Sequence, residues 1–156
     1  MGHTIVRAAR GRLPVMIWAA LCACSITGPA DHLDARLTLD ETVVTSGATS
    51  TAQIEVTNHG SEAIEIEAVT CPPRVLVFDD GGDQVGQPSV LCPAVLTAPA
   101  VLGPGATHTW TQGWFASDER GAALPPGTYR VQAWLATVGG DPVLTNRVAV
   151  SVREPS

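Results

Sequence analysis

Cysteine and histidine are the residues of this 156-residue chain most able to do chemistry, and each occurs four times. Three histidines, His32, His59 and His108, lie beyond the N-terminal segment, and none stands in a catalytic motif such as GxSxG or HExxH. Hydrolysis needs a nucleophile with a base within hydrogen-bond reach, or two carboxylates with shifted pKa values. The sequence therefore predicts no catalytic residue, no cofactor and no small-molecule substrate.

Cys24 has a different setting, because it ends the tetrapeptide Leu21-Cys22-Ala23-Cys24 behind an apolar run. The chain starts with a basic segment carrying Arg7, Arg10 and Arg12, followed by about 11 apolar residues, the pattern of an export signal. That run is too short to cross a bilayer, which takes about 20 apolar residues. We therefore expect export from a bacterial-type cytoplasm.

The tetrapeptide resembles the lipobox of bacterial lipoproteins, with an aliphatic residue at −3, a small residue at −1 and then the acylated cysteine. This resemblance implies a signal peptide at 1–23, a lipid on Cys24 and a membrane-anchored lipoprotein of the cell envelope. The alternative is a plain secretory signal cleaved near Ala23 or Ala30. That cleavage would leave a soluble periplasmic or secreted protein.

Cys71 and Cys92 are the remaining cysteines, and each stands next to a proline. An even pair in an exported domain favours a disulfide. By closing a loop of about 20 residues it would stabilise the fold by roughly 3 kcal/mol, because it restricts the unfolded chain. No CxxC or Cys/His spacing supports a metal site. The acids of Phe78–Gln84 lack the spacing of a calcium loop and favour a hairpin turn.

The charge balance excludes one class of partner. Without Arg7, Arg10 and Arg12 the chain keeps 9 − 3 = 6 arginines against 15 acidic residues, a balance of 6 − 15 = −9, and it has no lysine. A domain this acidic has no basic surface for a phosphate backbone, so nucleic acid is not expected as a partner.

The rest of the chain predicts one small all-β domain. Residues 24–34 lack periodicity and favour a flexible tether, and 35–153 carries short alternating runs rich in Val, Ile, Leu and Thr. This spacing predicts an immunoglobulin-like Greek-key β-sandwich of seven to nine strands. The predicted strands are 35–40, 42–45, 51–58, 63–70, 74–79, 106–115, 127–137 and 143–152.

The segment LPPGTYRVQAWL carries the most specific fold signal. Gly127 precedes Tyr129 at a strand start after a proline turn, which predicts a tyrosine corner whose hydroxyl bonds back to the backbone. The alternative is a tyrosine that merely starts a strand. Beyond it, Arg130, Gln132 and Trp134 alternate onto the opposite face and form a candidate partner face; the alternative is that a loop or a cross-strand neighbour covers Trp134. Trp110 and Trp114 are expected in the core.

The run from Val101 to Leu135 resembles the intracellular proteinase inhibitor BsuPI family, and VTNHGSEAIEIE and FDDGGDQV resemble two further motifs of that family. The likeness covers most of residues 51–135. The matching positions are Leu102, Pro104, Gly105, Trp114, Gly121, Leu124, Pro126, Gly127, Thr128 and Tyr129.

The resemblance implies an immunoglobulin-like fold and inhibition of a serine proteinase. A rigid loop such as Phe115–Pro125 would then enter the proteinase cleft. The chain departs from the family in its export signal and in Cys71 and Cys92. The expected function is thus a non-catalytic, envelope-anchored or secreted domain that binds a protein, and the alternative is an interaction module of the envelope without inhibitory activity.

Overall fold

The computed structural model describes residues 29–66, 72–87, 99–138 and 140–155. These residues form a short 3-10 helix at Pro29–His32 and eleven β-strands, and none of their helices is long and apolar enough to span a bilayer. The strands are β1 Leu33–Leu39, β2 Val43–Thr45, β3 Thr49–Asn58, β4 Ile64–Ile66, β5 Arg74–Phe78, β6 Gln84–Gly86, β7 Ala100–Leu102, β8 Thr107–Phe115, β9 Gly127–Leu135, β10 Val143–Leu144 and β11 Val148–Arg153.

The strands form two main sheets and one small one. A three-stranded antiparallel sheet has the order β1-β3-β8, and a six-stranded sheet has the order β2-β11-β9-β5-β6 with β10 beside β9. In the second sheet only β2 and β11 run parallel, and β4 pairs with β7 separately. The chain crosses between the two main sheets from β1 to β2, from β2 to β3 and from β8 to β9, as in a Greek-key sandwich. The predicted all-β, immunoglobulin-like sandwich is thereby confirmed, although the described strands number eleven rather than seven to nine.

One hydrophobic core lies between the sheets, and it explains the alternation seen in the sequence. On β3 the residues Ala52, Ile54 and Val56 are fully buried, while the residues between them face water. Trp110 and Trp114 of β8 are also buried, as predicted. Each such large apolar side chain stabilises the fold by about 1.5–3 kcal/mol relative to exposure.

The domain begins earlier than the sequence suggested. The predicted tether at 24–34 is wrong for its last six residues, because Pro29–His32 form the 3-10 helix and β1 starts at Leu33 rather than Ala35. Leu33 pairs with Asn58 and is only 9% exposed, so burial of one apolar side chain extends the strand. His32 belongs to the same unit, since its carbonyl accepts a 2.8 Å hydrogen bond from the His59 N–H.

The strands at the C-terminal end differ from the prediction for a side-chain reason. The strand expected at 143–152 is two strands, because the chain leaves the sheet at residues 145–147. There the Thr145 hydroxyl accepts a 2.9 Å hydrogen bond from the Ala133 N–H, in place of a backbone carbonyl. Two more strands, β6 and β7, were not predicted, since three residues are too few to show alternation.

Candidate binding face

The candidate partner face lies on the outer side of the six-stranded sheet, along β9. Arg130 is exposed there and Trp134 is half-buried. The residues predicted to point inward from the same strand are all buried: Tyr129, Val131, Ala133 and Leu135. The alternation of β9 thus places Arg130 and Trp134 on the outer face, as expected.

Gln132 corrects the prediction, because only 7% of it is exposed. Its Nε2 donates a 2.6 Å hydrogen bond to the Thr145 carbonyl, and its Oε1 accepts a 3.3 Å bond from Arg147 Nε. Thr145 and Arg147, which lie between β10 and β11, therefore bond to the amide nitrogen and the amide oxygen of Gln132, respectively. Gln132 positions its neighbours and is not itself available to a partner.

Two arginines lie over the aromatic rings of this face. The guanidinium carbon of Arg74 is 5.1 Å from the centroid of the Trp134 ring, and that of Arg147 is 4.5 Å from the centroid of the Phe78 ring. Such cation–π contacts contribute about 0.5–1 kcal/mol each at exposed sites. They also restrict the rotamers of two long side chains.

The pairing of β5 with β9 brings these groups together. Arg74 stands directly opposite Trp134, and Phe78 stands opposite Arg130. Sequence reasoning missed Arg74, Phe78 and Arg147, because it placed them on other strands without a known neighbour. The outward side chains of this region are called the arginine–aromatic face from here on: Arg74, Leu76, Phe78, Arg130, Trp134 and Arg147.

Charge is segregated on this sheet. The described strands β2, β5, β6, β9, β10 and β11 contain no Asp or Glu, although the chain has 15 acidic residues. Four of the six arginines beyond Cys24 lie on the outer side of the sheet or beside it: Arg74, Arg130, Arg147 and Arg153. An acidic domain therefore carries a basic, partly aromatic face, so the expectation from net charge that it has no basic surface is wrong.

The loop between β8 and β9 is the second feature that projects from the sandwich. Asp118 organises it, because one carboxylate oxygen accepts 2.8 Å hydrogen bonds from the N–H groups of both Arg120 and Ala122. Leu124 anchors the loop: it is 2% exposed, and its N–H donates to the Ala116 carbonyl at 2.9 Å. The exposed tip of the loop is thus a tight turn that the buried Leu124 attaches to the sandwich.

Tyr129 has the geometry of a tyrosine corner. Its hydroxyl donates a 2.8 Å hydrogen bond to the carbonyl of Pro125, four residues upstream. A Cβ at Gly127 would lie 3.5 Å from the ring, so the ring packs closely against that glycine. Burial, and to a smaller extent the negative charge of Asp79, raises the pKa of the Tyr129 hydroxyl. This residue fixes the turn into β9 and does not reach the arginine–aromatic face.

The other residues singled out from the sequence form no reactive cluster in the described part of the chain. His32 and His59 are both exposed, and His108 packs edge-on against Trp110 at 4.3 Å between ring centroids. Across the described ranges no three His, Cys, Asp or Glu side chains gather as a metal site would require. Cys24, Cys71 and Cys92 lie outside the described residues, so the predicted lipid and disulfide stay predictions.

The acidic segment at the end of β5 forms the predicted hairpin turn. The Asp83 N–H donates a 2.9 Å hydrogen bond to the Asp79 carboxylate, and the Asp79 N–H donates to the Asp83 carbonyl at the same distance. Gly82 completes the turn with a φ of 90°, a conformation that favours glycine. β5 and β6 pair antiparallel on either side of it, which confirms the hairpin.

Comparison with known proteins gives the fold a wider setting. No family model and no curated protein sequence matches this chain. Among solved structures, the sporulation control protein Spo0M of Bacillus subtilis aligns over 78% of this chain and 49% of its own, with 12% identity and a TM-score of 0.53. The C-terminal domain of wzt aligns over 80% of this chain and 75% of its own, with 9% identity and a TM-score of 0.53.

A third similar structure is the CARDB domain of a Pyrococcus furiosus protein in complex with di-metal ions. It aligns over 78% of this chain and 87% of its own, with 16% identity and a TM-score of 0.44. At these identities a likeness shows the fold and nothing finer. What is shown for this chain is an all-β, immunoglobulin-like β-sandwich domain.

Proposed function

We propose that this chain is a non-catalytic binding domain, exported to the bacterial envelope, anchored by a lipid on Cys24, and bound to a protein partner through its arginine–aromatic face. The observation that carries the binding role is the pair of guanidinium groups held over Trp134 and Phe78 on a sheet without acids. Trp and Arg are enriched among the residues that dominate protein interfaces.

Preorganisation supports this use of the face. A free arginine loses considerable rotamer freedom when a partner immobilises it, at a cost of about 0.5–1.5 kcal/mol for each such side chain. Arg147 has already lost part of that freedom, since it stacks on Phe78 and donates to Gln132. Less of the binding free energy is therefore spent on ordering the face.

The export part of the proposal rests on the sequence alone and has a direct test. Intact-mass measurement of the protein purified from membranes would show cleavage before Cys24, the added mass of a diacylglycerol, and the loss of two protons from Cys71 and Cys92. A Cys24→Ala variant is the matched control and should leave the membrane fraction. A protein whose mass still includes residues 1–23 would refute the signal peptide.

Site-specific photo-crosslinking in cells tests the binding face. A photoreactive residue at Ala149, exposed and directly opposite Arg130 on the outer side of the six-stranded sheet, should give one defined crosslinked protein. The same residue at Thr111, exposed on the outer side of the other sheet, serves as the control. Trp134→Ala should abolish the Ala149 product. Equal products from both positions, or none from Ala149, would refute this use of the face.

Proteinase inhibition is the second candidate, and the geometry of the loop between β8 and β9 favours it. Asp118 and the buried Leu124 make the loop rigid, as an inhibitory loop must be, and Phe115 at its base is 48% exposed. We expect Phe115→Ala or Arg120→Ala, but not Trp134→Ala, to weaken any inhibition. Subtilisin-like and trypsin-like enzymes that keep full activity with micromolar domain would eliminate this candidate, and the domain alone in the same assays tests for activity of its own.

A further inference from the structure

The charge distribution of the domain indicates the chemistry of its partner. Beyond Cys24 the chain carries a balance of −9, yet the arginine–aromatic face carries Arg74, Arg130 and Arg147 and no acid. In the described part of the chain no carboxylate forms an ion pair with any of these three arginines. None of the three is therefore held in an ion pair within the described fold, and the nearest acid along β5 is Asp79, which follows Phe78 at one end of the face.

The arginines lie at two levels along the strand direction. Arg74 lies level with Trp134, whereas the guanidinium of Arg147 lies over Phe78, which stands opposite Arg130. Trp134 and Arg130 are four residues apart on β9, and each residue advances about 3.3 Å, so the two levels lie about 13 Å apart. This distance is too great for one small anion to contact both levels.

The arrangement of the aromatic rings argues against a carbohydrate partner. A sugar would stack on an open face of Trp134, but the Arg74 guanidinium already lies over that ring. The groups presented outward are guanidinium N–H donors, whose planar fork matches the two oxygens of a carboxylate. The face therefore suits carboxylates spaced along a chain.

We propose that the partner presents an extended acidic segment across the arginine–aromatic face. This inference rests on the proposed function and specifies the partner of the same face. The attraction acts at short range, at the face itself, because the balance of −9 beyond Cys24 repels an acidic partner at longer distance.

Fluorescence anisotropy with a labelled peptide of alternating Glu and Ala tests the inference, with a peptide of alternating Gln and Ala as the reference probe. We expect the Glu peptide alone to bind. Each of Arg74→Gln, Arg130→Gln and Arg147→Gln should weaken binding about two- to fivefold, and the triple variant about tenfold or more.

Two other arginines provide a control matched in charge. Arg36 lies on the three-stranded sheet and Arg120 at the loop tip, and both are exposed. Arg36→Gln and Arg120→Gln change the net charge as the face variants do, so they should weaken binding less than about twofold. Equal weakening by control and face variants would mean that only net charge matters and would overturn the proposal, as would absence of binding by the wild-type domain.

Further probes separate the alternatives. Tighter binding of a heparin fragment, or of phosphatidylglycerol vesicles, that is lost in the face variants would assign the face to another anion and overturn the acidic segment. The triple variant with the photoreactive residue at Ala149 separates this inference from the proposed function. Persistence of the crosslinked protein would refute the acidic segment and leave the binding face standing, whereas no product in the wild-type domain would refute the binding face itself.

Discussion

The side-chain amide of Asn146 pairs with both backbone groups of Leu37, as a residue of a neighbouring strand would. Its Oδ1 accepts a 2.8 Å hydrogen bond from the Leu37 N–H, and its Nδ2 donates a 3.2 Å bond to the Leu37 carbonyl. Leu37 lies in β1, the edge of the three-stranded sheet, and Asn146 follows β10 of the six-stranded sheet. One amide thus joins the two sheets along an open edge.

Asn146→Ala should lower the free energy of unfolding by about 1–2 kcal/mol, because it removes two hydrogen bonds that each contribute about 0.5–1.5 kcal/mol. Urea unfolding followed by tryptophan fluorescence measures the change. Gln53→Ala is the control, since Gln53 is exposed on β3, and it should stay within about 0.5 kcal/mol of the wild type. A loss no larger than that of the control would show that water replaces both bonds.

Asn58 should contribute more to stability than Asn146 does, because it is fully buried and both the nitrogen and the oxygen of its amide are hydrogen-bonded. Nδ2 donates to the carbonyls of Glu62 and Leu102 at 2.8 and 2.9 Å, and Oδ1 accepts from the Gly60 N–H at 2.8 Å. Asn58→Ala leaves three backbone groups without a partner and should cost about 2–4 kcal/mol.

A second variant identifies the donors as the cause. Asn58→Asp keeps the acceptor toward Gly60 but places a carboxylate oxygen against two carbonyl oxygens. We expect it to be as destabilising as Asn58→Ala near neutral pH and to recover stability as pH falls, when the protonated carboxyl can donate again. Equilibrium unfolding in urea, near neutral pH and at an acidic pH, measures the stability of the Asp variant. An Asp variant as stable as the wild type near neutral pH would contradict the arrangement.

Tyr129 predicts a pH dependence on the alkaline side. Burial raises its pKa in the folded state above the ordinary value of 10.0, so the folded protein holds this proton more tightly than the unfolded chain does. The stability from this group is complete below pH 10.0 and is lost as pH rises through the folded pKa. Tyr129→Phe should remove that component together with its hydrogen bond to Pro125, which contributes about 1 kcal/mol.

No other tyrosine and no lysine titrates in this pH range, since Tyr129 is the only tyrosine and the chain has no lysine. Unfolding free energies from about pH 9 to about pH 11 should converge between wild type and Tyr129→Phe. Tyrosinate absorbance of the folded protein should titrate above its ordinary range. A constant difference between the two proteins across this range would show that Tyr129 ionises as readily in the fold as in water.

Gly86 allows the loop between β8 and β9 to pack closely against β6. A Cβ on Gly86 would lie 2.7 Å from the Ser117 carbonyl oxygen, a backbone atom that must then move. Gly86→Ala should cost about 1–3 kcal/mol, as overpacking does elsewhere. Gly103→Ala is the control, because a Cβ there meets nothing within 4 Å. Thermal unfolding of both variants tests this, and equal midpoints would contradict the contact.

The features that the sequence predicted are local ones. The alternation of Ala52, Ile54 and Val56 is enough to predict a strand with one buried face, because the period of two follows from the pleat. The turn before Tyr129 was equally predictable, since glycine and proline restrict the backbone where they stand. All-β class and the inward residues of β9 followed from such patterns.

Distant partners were decided only by the tertiary structure. No local pattern places Arg74 opposite Trp134, buries Gln132 between Thr145 and Arg147, or extends β1 to Leu33. Each of these depends on which strands become neighbours when two sheets pack around one core, and more than 50 residues separate Arg74 from Trp134 in the chain. The sequence alone therefore determined the all-β class and the inward faces of the longer strands, whereas packing of the sheets fixed the short strands and assembled the arginine–aromatic face.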